Sequence, residues 1–292
     1  MNVRRVTGKA LHRLPKGLKG IFPVKTRQRL RQRLGRGAWE MSVSEGPPEL
    51  QLGEEVGSPQ FIGIGVQKAG TTWWYDLIAA HPDAYRSTRE LKELHYFSRF
   101  ATTTFGPAEI AEYHRRFPRK GQGLTGEWTP DYFYLPWVPY LVSLAAPDAR
   151  LIVCLRDPIE RLRSGLAHSQ LNFRRYASPT IADAMAQGFY SNLLNRWLGY
   201  FQREQLLALQ FERNALEPGV QIGQTYEFLG VDAAYRPANL GIVVDKTPIA
   251  KVQLDDDTRR RLVDIYLPDV LQLKNIVPDI DLSLWPNFSE YA

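Results

Sequence analysis

Lys68, Gly70, Thr71 and Thr72 lie within five residues of one another, just after the apolar run Phe61-Ile-Gly-Ile-Gly-Val66. Residues of these types at this spacing hold an anion. The glycine lets the main chain come close, the hydroxyls donate hydrogen bonds and the lysine brings a mobile charge. A second group follows Leu151-Ile-Val-Cys-Leu155: Arg156 ends the apolar run, Asp157-Pro158 opens a helix, and Ser164 falls two turns along it. A guanidinium fork with a hydroxyl beside it suits a terminal phosphate. A third group is Arg89-Glu-Leu-Lys-Glu-Leu-His-Tyr-Phe97, where Glu93 and His95 are the residues able to take a proton. The fourth is Gly126-Glu-Trp-Thr-Pro-Asp-Tyr132.

The elements that must position these groups can be read from the same chain. Residues 61–66 form a predicted buried strand and about 70–80 a helix, stopped at His81-Pro82. The first turn of that helix offers unpaired N–H groups and the positive end of its dipole, so the loop 68–72 is a predicted phosphate cradle in which Ala69 lies between the lysine and the glycine. Strands are expected at 124–128, 150–155 and 206–211. Helices are expected at 107–116, 136–146, 158–176, 180–187, 190–203, 213–229 and 257–275. Strands alternating with helices predict an α/β fold whose ligand lies at the carboxyl edge of a mostly parallel sheet.

The order of residues in the first group separates it from the Walker-type loop, in which the lysine follows the last glycine directly. Here Lys68 precedes Gly70 by two, and the frame G-x-x-K-x-G-T-T resembles the phosphosulfate loop of sulfotransferases. Arg156 and Ser164 follow in the order that family uses for the 3′-phosphate of its donor. Lys92, Glu93, His95, Tyr96 and Phe97 match the K-E-x-H-[FY]-F segment of the heparan sulfate N- and 3-O-sulfotransferase-like branch, including its bacterial-type members. The resemblance spans roughly residues 60–290. It implies a P-loop-like three-layer fold, 3′-phosphoadenosine-5′-phosphosulfate (PAPS) as donor, and no metal. Lys68, Ala69, Gly70, Thr71, Thr72, Arg156 and Ser164 would hold the donor, and Lys68 would also act in bond breaking. Glu93 would be the base, with His95 as the rival and Glu90 outside the matching frame. Lys92, Trp128 and Tyr132 would meet the acceptor.

Two departures from the family pattern stand out. Trp128 replaces a lysine of the E-K-[ST]-P-x-Y segment, which removes one cation and offers either an aromatic acceptor surface or core packing. The region Val243–Lys251 lacks the cysteines of a disulfide-bearing loop, and Lys246 or Lys251 would stand in for its basic segment. The competing classes are a P-loop nucleotide kinase and a non-catalytic protein that binds a polyanion or a membrane.

Composition sets the remaining bounds. The chain has 292 residues with 44% hydrophobic content, enough to bury a sizeable core. The formal charge of +6 is unevenly placed, since residues 1–37 hold twelve Lys or Arg and no acid. The remainder carries 25 basic and 31 acidic side chains. Nucleic-acid binding would therefore rest on the tail alone and is not expected. Leu11, Leu14, Leu18, Ile21 and Phe22 would give the tail one apolar face for peripheral membrane contact; a solvated leader is the plainer reading. Residues 1–59 read as this tail and a linker, and 60–292 as the transferase domain. The single cysteine, Cys154, reads as a buried hydrophobe and suits a cytoplasmic setting. His12, His114 and His168 have no partners at metal-like spacing. The expected acceptor is a carbohydrate, a glycolipid or a small molecule, with Tyr132 and Trp137 as further stacking candidates.

Overall fold

The computed structural model describes residues 46–84, 92–168, 179–241 and 251–292. The tail, Arg89, Glu90 and Lys246 lie outside the described residues. In chain order the elements are β1 (Glu55–Val56), β2 (Phe61–Gly65), α1 (Thr71–Ala79), α2 (Pro107–His114), β3 (Pro118–Arg119), β4 (Gly126–Trp128), α3 (Val138–Ala145) and β5 (Arg150–Leu155). They continue with α4 (Pro158–His168), α5 (Pro179–Ala186), α6 (Tyr190–Leu198), β6 (Leu206–Gln210), α7 (Phe211–Leu216), α8 (Pro218–Leu229) and α9 (Asp256–Ile276).

The main sheet runs β4-β2-β5-β6, every pair parallel. Parallel neighbours need crossovers, and helices flank the sheet as the strand-helix alternation predicts. The central strands are continuous apolar runs because both faces are covered: all of β2 and Leu151–Leu155 of β5 are buried. Each large side chain removed from water there contributes about 1.5–3 kcal/mol. On the edge, β4 sets Trp128 opposite Gly63 of β2. A Cβ at Gly63 would come within 2.0 Å of the indole, so only glycine leaves room for that ring.

Side-chain hydrogen bonds tie the helices together. Trp74 of α1 donates to Thr225 Oγ1 of α8 at 3.0 Å, and Tyr226 of α8 donates to the Leu77 carbonyl at 2.7 Å. Asp269 of α9 accepts from the N–H and the hydroxyl of Ser191 at the start of α6.

Two sequence expectations are adjusted. The helix expected over 213–229 is two helices, because Glu217 leaves helical geometry and Pro218 begins α8 at the position where a missing N–H costs least. Pro268, by contrast, lies inside the 21-residue α9 without ending it. Glu55–Val56, in the stretch read as linker, pairs antiparallel with β3.

Candidate active site

The carboxyl ends of β2 and β5 lie side by side, so the segments that leave them share one edge of the sheet. Lys68 and Gly70 both adopt left-handed backbone, at φ 68° and 76°. Gly70 caps α1 with no side-chain hydrogen bond, and the first turn carries no acidic residue. A Cβ at Gly70 would meet the Phe211 ring at 2.9 Å. Conformation and space thus both demand glycine there, while the amides of the first turn point outward from the cap. Thr71 is buried and Thr72 half-buried.

Arg156 leaves β5 toward this loop. Its Nη1 donates to the Lys68 carbonyl at 2.8 Å, and its guanidinium lies 4.7 Å from the centre of the Phe211 ring. Its Nε is buried and makes no hydrogen bond among the described residues. The next residue anchors this arrangement. Asp157 Oδ1 caps α4 by accepting from the N–H groups of Ile159 and Glu160 at 2.9 and 3.1 Å. Its Oδ2 accepts the N–H and the amide of Asn287 at 3.0 and 2.8 Å. Glu212 closes the clasp: it accepts from the Asp157 N–H at 3.1 Å and from the Trp285 indole at 2.9 Å. Burial raises Asp157 and pushes Glu212 up to about 7. Ser164 sits buried on α4.

Lys251 turns toward α4 as well, 2.7 Å from Glu160 Oε2, while Arg163 meets Glu160 Oε1 at 2.6 Å and donates to the Val252 carbonyl at 2.8 Å. Burial opposes the charge on Glu160, yet these two cations hold its carboxyl at about 2. The lysine offered as a nucleotide contact is thus engaged by an ion pair beside the helix.

The third group crosses over the end of β4. Lys92 forms an isolated parallel bridge with Trp128, and the Glu93 N–H donates to the Trp128 carbonyl at 2.8 Å. Glu93 and His95 have φ 59° and 48°, an uncommon conformation for residues with side chains. Lys92 Nζ lies 2.6 Å from Glu93 Oε1. His95 stands between two carboxylates, with Nε2 3.9 Å from Glu93 Oε2 and Nδ1 3.4 Å from Asp131 Oδ2. The other oxygen of Asp131 accepts from Gln67 Nε2, directly before Lys68. His95 and then Lys92 hold Glu93 down to about 2 against its partial burial. Burial disfavours charge on His95, but Glu93, Asp131 and Glu127 together raise its proton affinity above the usual value.

Beneath this line, Glu127 is fully buried and accepts from Tyr113, Thr129 and Tyr132 hydroxyls at 2.7, 2.7 and 3.3 Å. Burial pushes it up to about 7, with those three donors pulling the other way.

The structure brings the four sequence groups together at one sheet edge but changes the part of two acceptor candidates. Trp128 is fully buried and its indole donates to the Gly65 carbonyl at 3.3 Å, so it packs the core and offers no acceptor surface. Tyr132 is also fully buried; its hydroxyl donates to Glu127 and receives the Tyr96 N–H at 2.8 Å, which makes it a strut beneath the 92–97 loop. Lys92 stays at the site, its charge matched by Glu93. Trp137 is half-buried and donates to the Phe97 carbonyl. Cys154 is buried, with its thiol pushed up by burial. His81 bonds the Asp232 carbonyl at 3.1 Å, and His114 the Ala145 carbonyl at 2.6 Å. Reasoning from the sequence missed Gln67, Asp131 and Glu127. The available signal was an acid at the open position of E-x-[ST]-P-x-Y.

Comparison with known proteins agrees with this arrangement. The pattern of the Sulfotransferase domain family matches residues 58–253. Human heparan sulfate glucosamine 3-O-sulfotransferase 6 is 31% identical over 204 residues, covering 64% of this chain and 57% of that protein. Human heparan sulfate glucosamine 3-O-sulfotransferase 3A1 is 32% identical over 209 residues, covering 65% and 50%. The chain thus spans about half the length of these two relatives. Among solved structures, a sulfotransferase from Alicyclobacillus acidocaldarius superposes with a TM-score of 0.60 at 23% identity, over 79% of this chain and 99% of that one, and shares its fold.

Proposed function

We propose, from the premise that the chain belongs to the sulfotransferase domain family, that it moves a sulfuryl group from PAPS to a hydroxyl or amine of a saccharide or glycolipid. The observation that carries this reading is the contact of Arg156 with the Lys68 carbonyl, which brings two cationic residues together at the carboxyl edge of the sheet. The fit is supported by the buried Arg156 Nε with no protein partner among the described residues and by the open cap of α1. The donor, when bound, supplies an activated sulfuryl group. The amides of Gly70, Thr71 and Thr72, with Ala69 in the loop, would hold its 5′-phosphate end. Arg156 and Ser164 would hold the 3′-phosphate.

Transfer of this kind makes little demand on covalent chemistry in the protein. It asks for positioning and for stabilisation of charge where charge develops. Lys68 would meet the negative charge growing on the leaving oxygen, and a well-placed donor of that sort contributes on the order of 3–4 kcal/mol. Glu93 would accept the acceptor's proton, and His95 is its alternative. The two are coupled, so an observed pH profile belongs to the pair rather than to either residue. Lys92 would lie beside the acceptor.

The acceptor class rests on the named activities of the relatives, which act on heparan sulfate. Residues 38–292 carry 25 basic and 31 acidic side chains. Such a domain exerts no general attraction on a polyanion, which favours an uncharged sugar. The basic tail 1–37 would add peripheral contact with an anionic membrane in a cytoplasmic protein. The test is incubation with sulfur-labelled PAPS and a panel of neutral saccharides, glycolipids, heparan-type polymers, phenols and long-chain alcohols. Label on a saccharide or glycolipid is expected; label on phenols or alcohols alone would move the acceptor to a small lipid or aromatic metabolite.

A further inference from the structure

One carboxylate on the acceptor side reaches back to the donor loop, and none of the roles above uses it. Asp131 is 6% exposed, on the 3-10 turn Pro130–Phe133. Gln67, the residue before Lys68, donates to its Oδ1, and its Oδ2 lies 3.4 Å from His95 Nδ1, an ion-pair distance with no hydrogen bond, since Nδ1 has no hydrogen-bond partner among the described residues. Carboxylates beside both ring nitrogens, Asp131 near Nδ1 and Glu93 Oε2 3.9 Å from Nε2, favour the doubly protonated ring in this orientation. The carboxamide of Gln67 restrains the carboxylate from the opposite side, so rotation of Asp131 would break its link to the loop. His95 is held at φ 48° between this carboxylate and Thr129, whose Oγ1 accepts the His95 N–H at 3.4 Å. A left-handed non-glycine residue persists only where its surroundings over-determine it.

We propose that Asp131 is a positioning residue which, with Gln67, fixes the His95 ring against Glu93 and relays the state of the donor loop to the proton acceptor. The inference rests on the reading of Glu93 and His95 given above. The charged groups facing His95 are Glu93 on its own loop, Asp131 on the 3-10 turn and Glu127 on β4, with Lys92 acting through Glu93. Removing the charge of Asp131 leaves the other two carboxylates in place. The change in the His95 titration is therefore read against a coupled group in which Glu93 and Glu127 are still present.

The experiment is a proton-NMR titration of the histidine rings of the full chain, with the His95 signal assigned by its loss in His95→Gln. His81, buried against the Asp232 carbonyl, serves as an internal reference for folding. Asp131→Asn is expected to lower the proton affinity of His95 by about tenfold or more, the effect of removing one close opposite charge. Adenosine 3′,5′-bisphosphate is expected to shift the His95 titration in the unaltered chain and to leave it unmoved in Gln67→Ala. A His95 titration within twofold of the unaltered chain in Asp131→Asn would overturn the positioning role. A nucleotide-induced shift that persists in Gln67→Ala would overturn the relay. Should Asp131→Asn disturb the His81 signal, Gln67→Ala carries the test by itself. A chain that transfers label from PAPS while His95 ignores Asp131 removes this inference alone. A responsive His95 in a chain that transfers no label removes the proposed function and keeps the arrangement.

Discussion

The two halves of the site are built in different ways. The donor half is built around main chain, a strand end, a left-handed glycine and the first turn of α1, with the Arg156 side chain bonded to a backbone carbonyl. The acceptor half consists of side chains in series, from Gln67 through Asp131, His95 and Glu93 to Lys92, above a buried Glu127. Under the proposed function, backbone anchors that tolerate no sliding would bind a constant group, the nucleotide. A line of ionisable side chains would instead shift its proton as chemistry proceeds. The proposal thus gives binding to one half and proton transfer to the other.

That division can be broken by substitution. The largest effect is expected for Glu93→Gln, with turnover falling by about 10²–10⁴-fold while adenosine 3′,5′-bisphosphate still binds within about twofold. Equal loss of nucleotide affinity, measured by calorimetry, would erase the distinction between the halves. Trp128→Ala comes next, as a test of whether this residue is core: removing a buried indole should cost about 3–5 kcal/mol in denaturant unfolding. Unchanged stability with a raised acceptor KM would return Trp128 to the acceptor surface. Arg156→Ala should weaken bisphosphate binding by about 10–100-fold, matching the loss of a charged hydrogen bond.

A further effect concerns pH. Glu127 and Glu212 are both raised to about 7. A carboxyl whose folded value lies above its unfolded value stabilises fully below about pH 4.5 and loses that contribution as pH rises through 7. Glu127→Gln should therefore flatten the fall in stability between about pH 4.5 and 7, by up to roughly 3 kcal/mol. Thermal unfolding across that range checks it, and an unaltered slope would remove Glu127 as its source. Glu93 and Glu160 act in the opposite sense, since both are held near 2 and lose their contribution as pH falls below about 4.5.

The contrast also explains what could be read from the residues alone. The loop of the donor half is contiguous in sequence, so the order of Lys68, Gly70 and the two threonines could be read locally. Arg156 was legible because a continuous apolar run delivers it to a strand end. Asp131 was not, since its meaning depends on a turn that brings it to Gln67 and His95 from 64 and 36 residues away. Trp128 was ambiguous for a similar reason. Its burial depends on standing opposite Gly63, and strand register is not visible in either segment by itself. The clasp of Asp157, Glu212, Trp285 and Asn287 likewise joins three distant stretches through a few hydrogen bonds.

Lys68 tests the account most directly, because it alone is assigned both to holding the donor and to breaking its bond. The measurement is the rate of label transfer from PAPS by Lys68→Ala beside the unaltered chain, with thermal unfolding of both. The account predicts a fall of about 10²–10³-fold or more with an unchanged unfolding temperature. Turnover within a few-fold of the unaltered chain would contradict it.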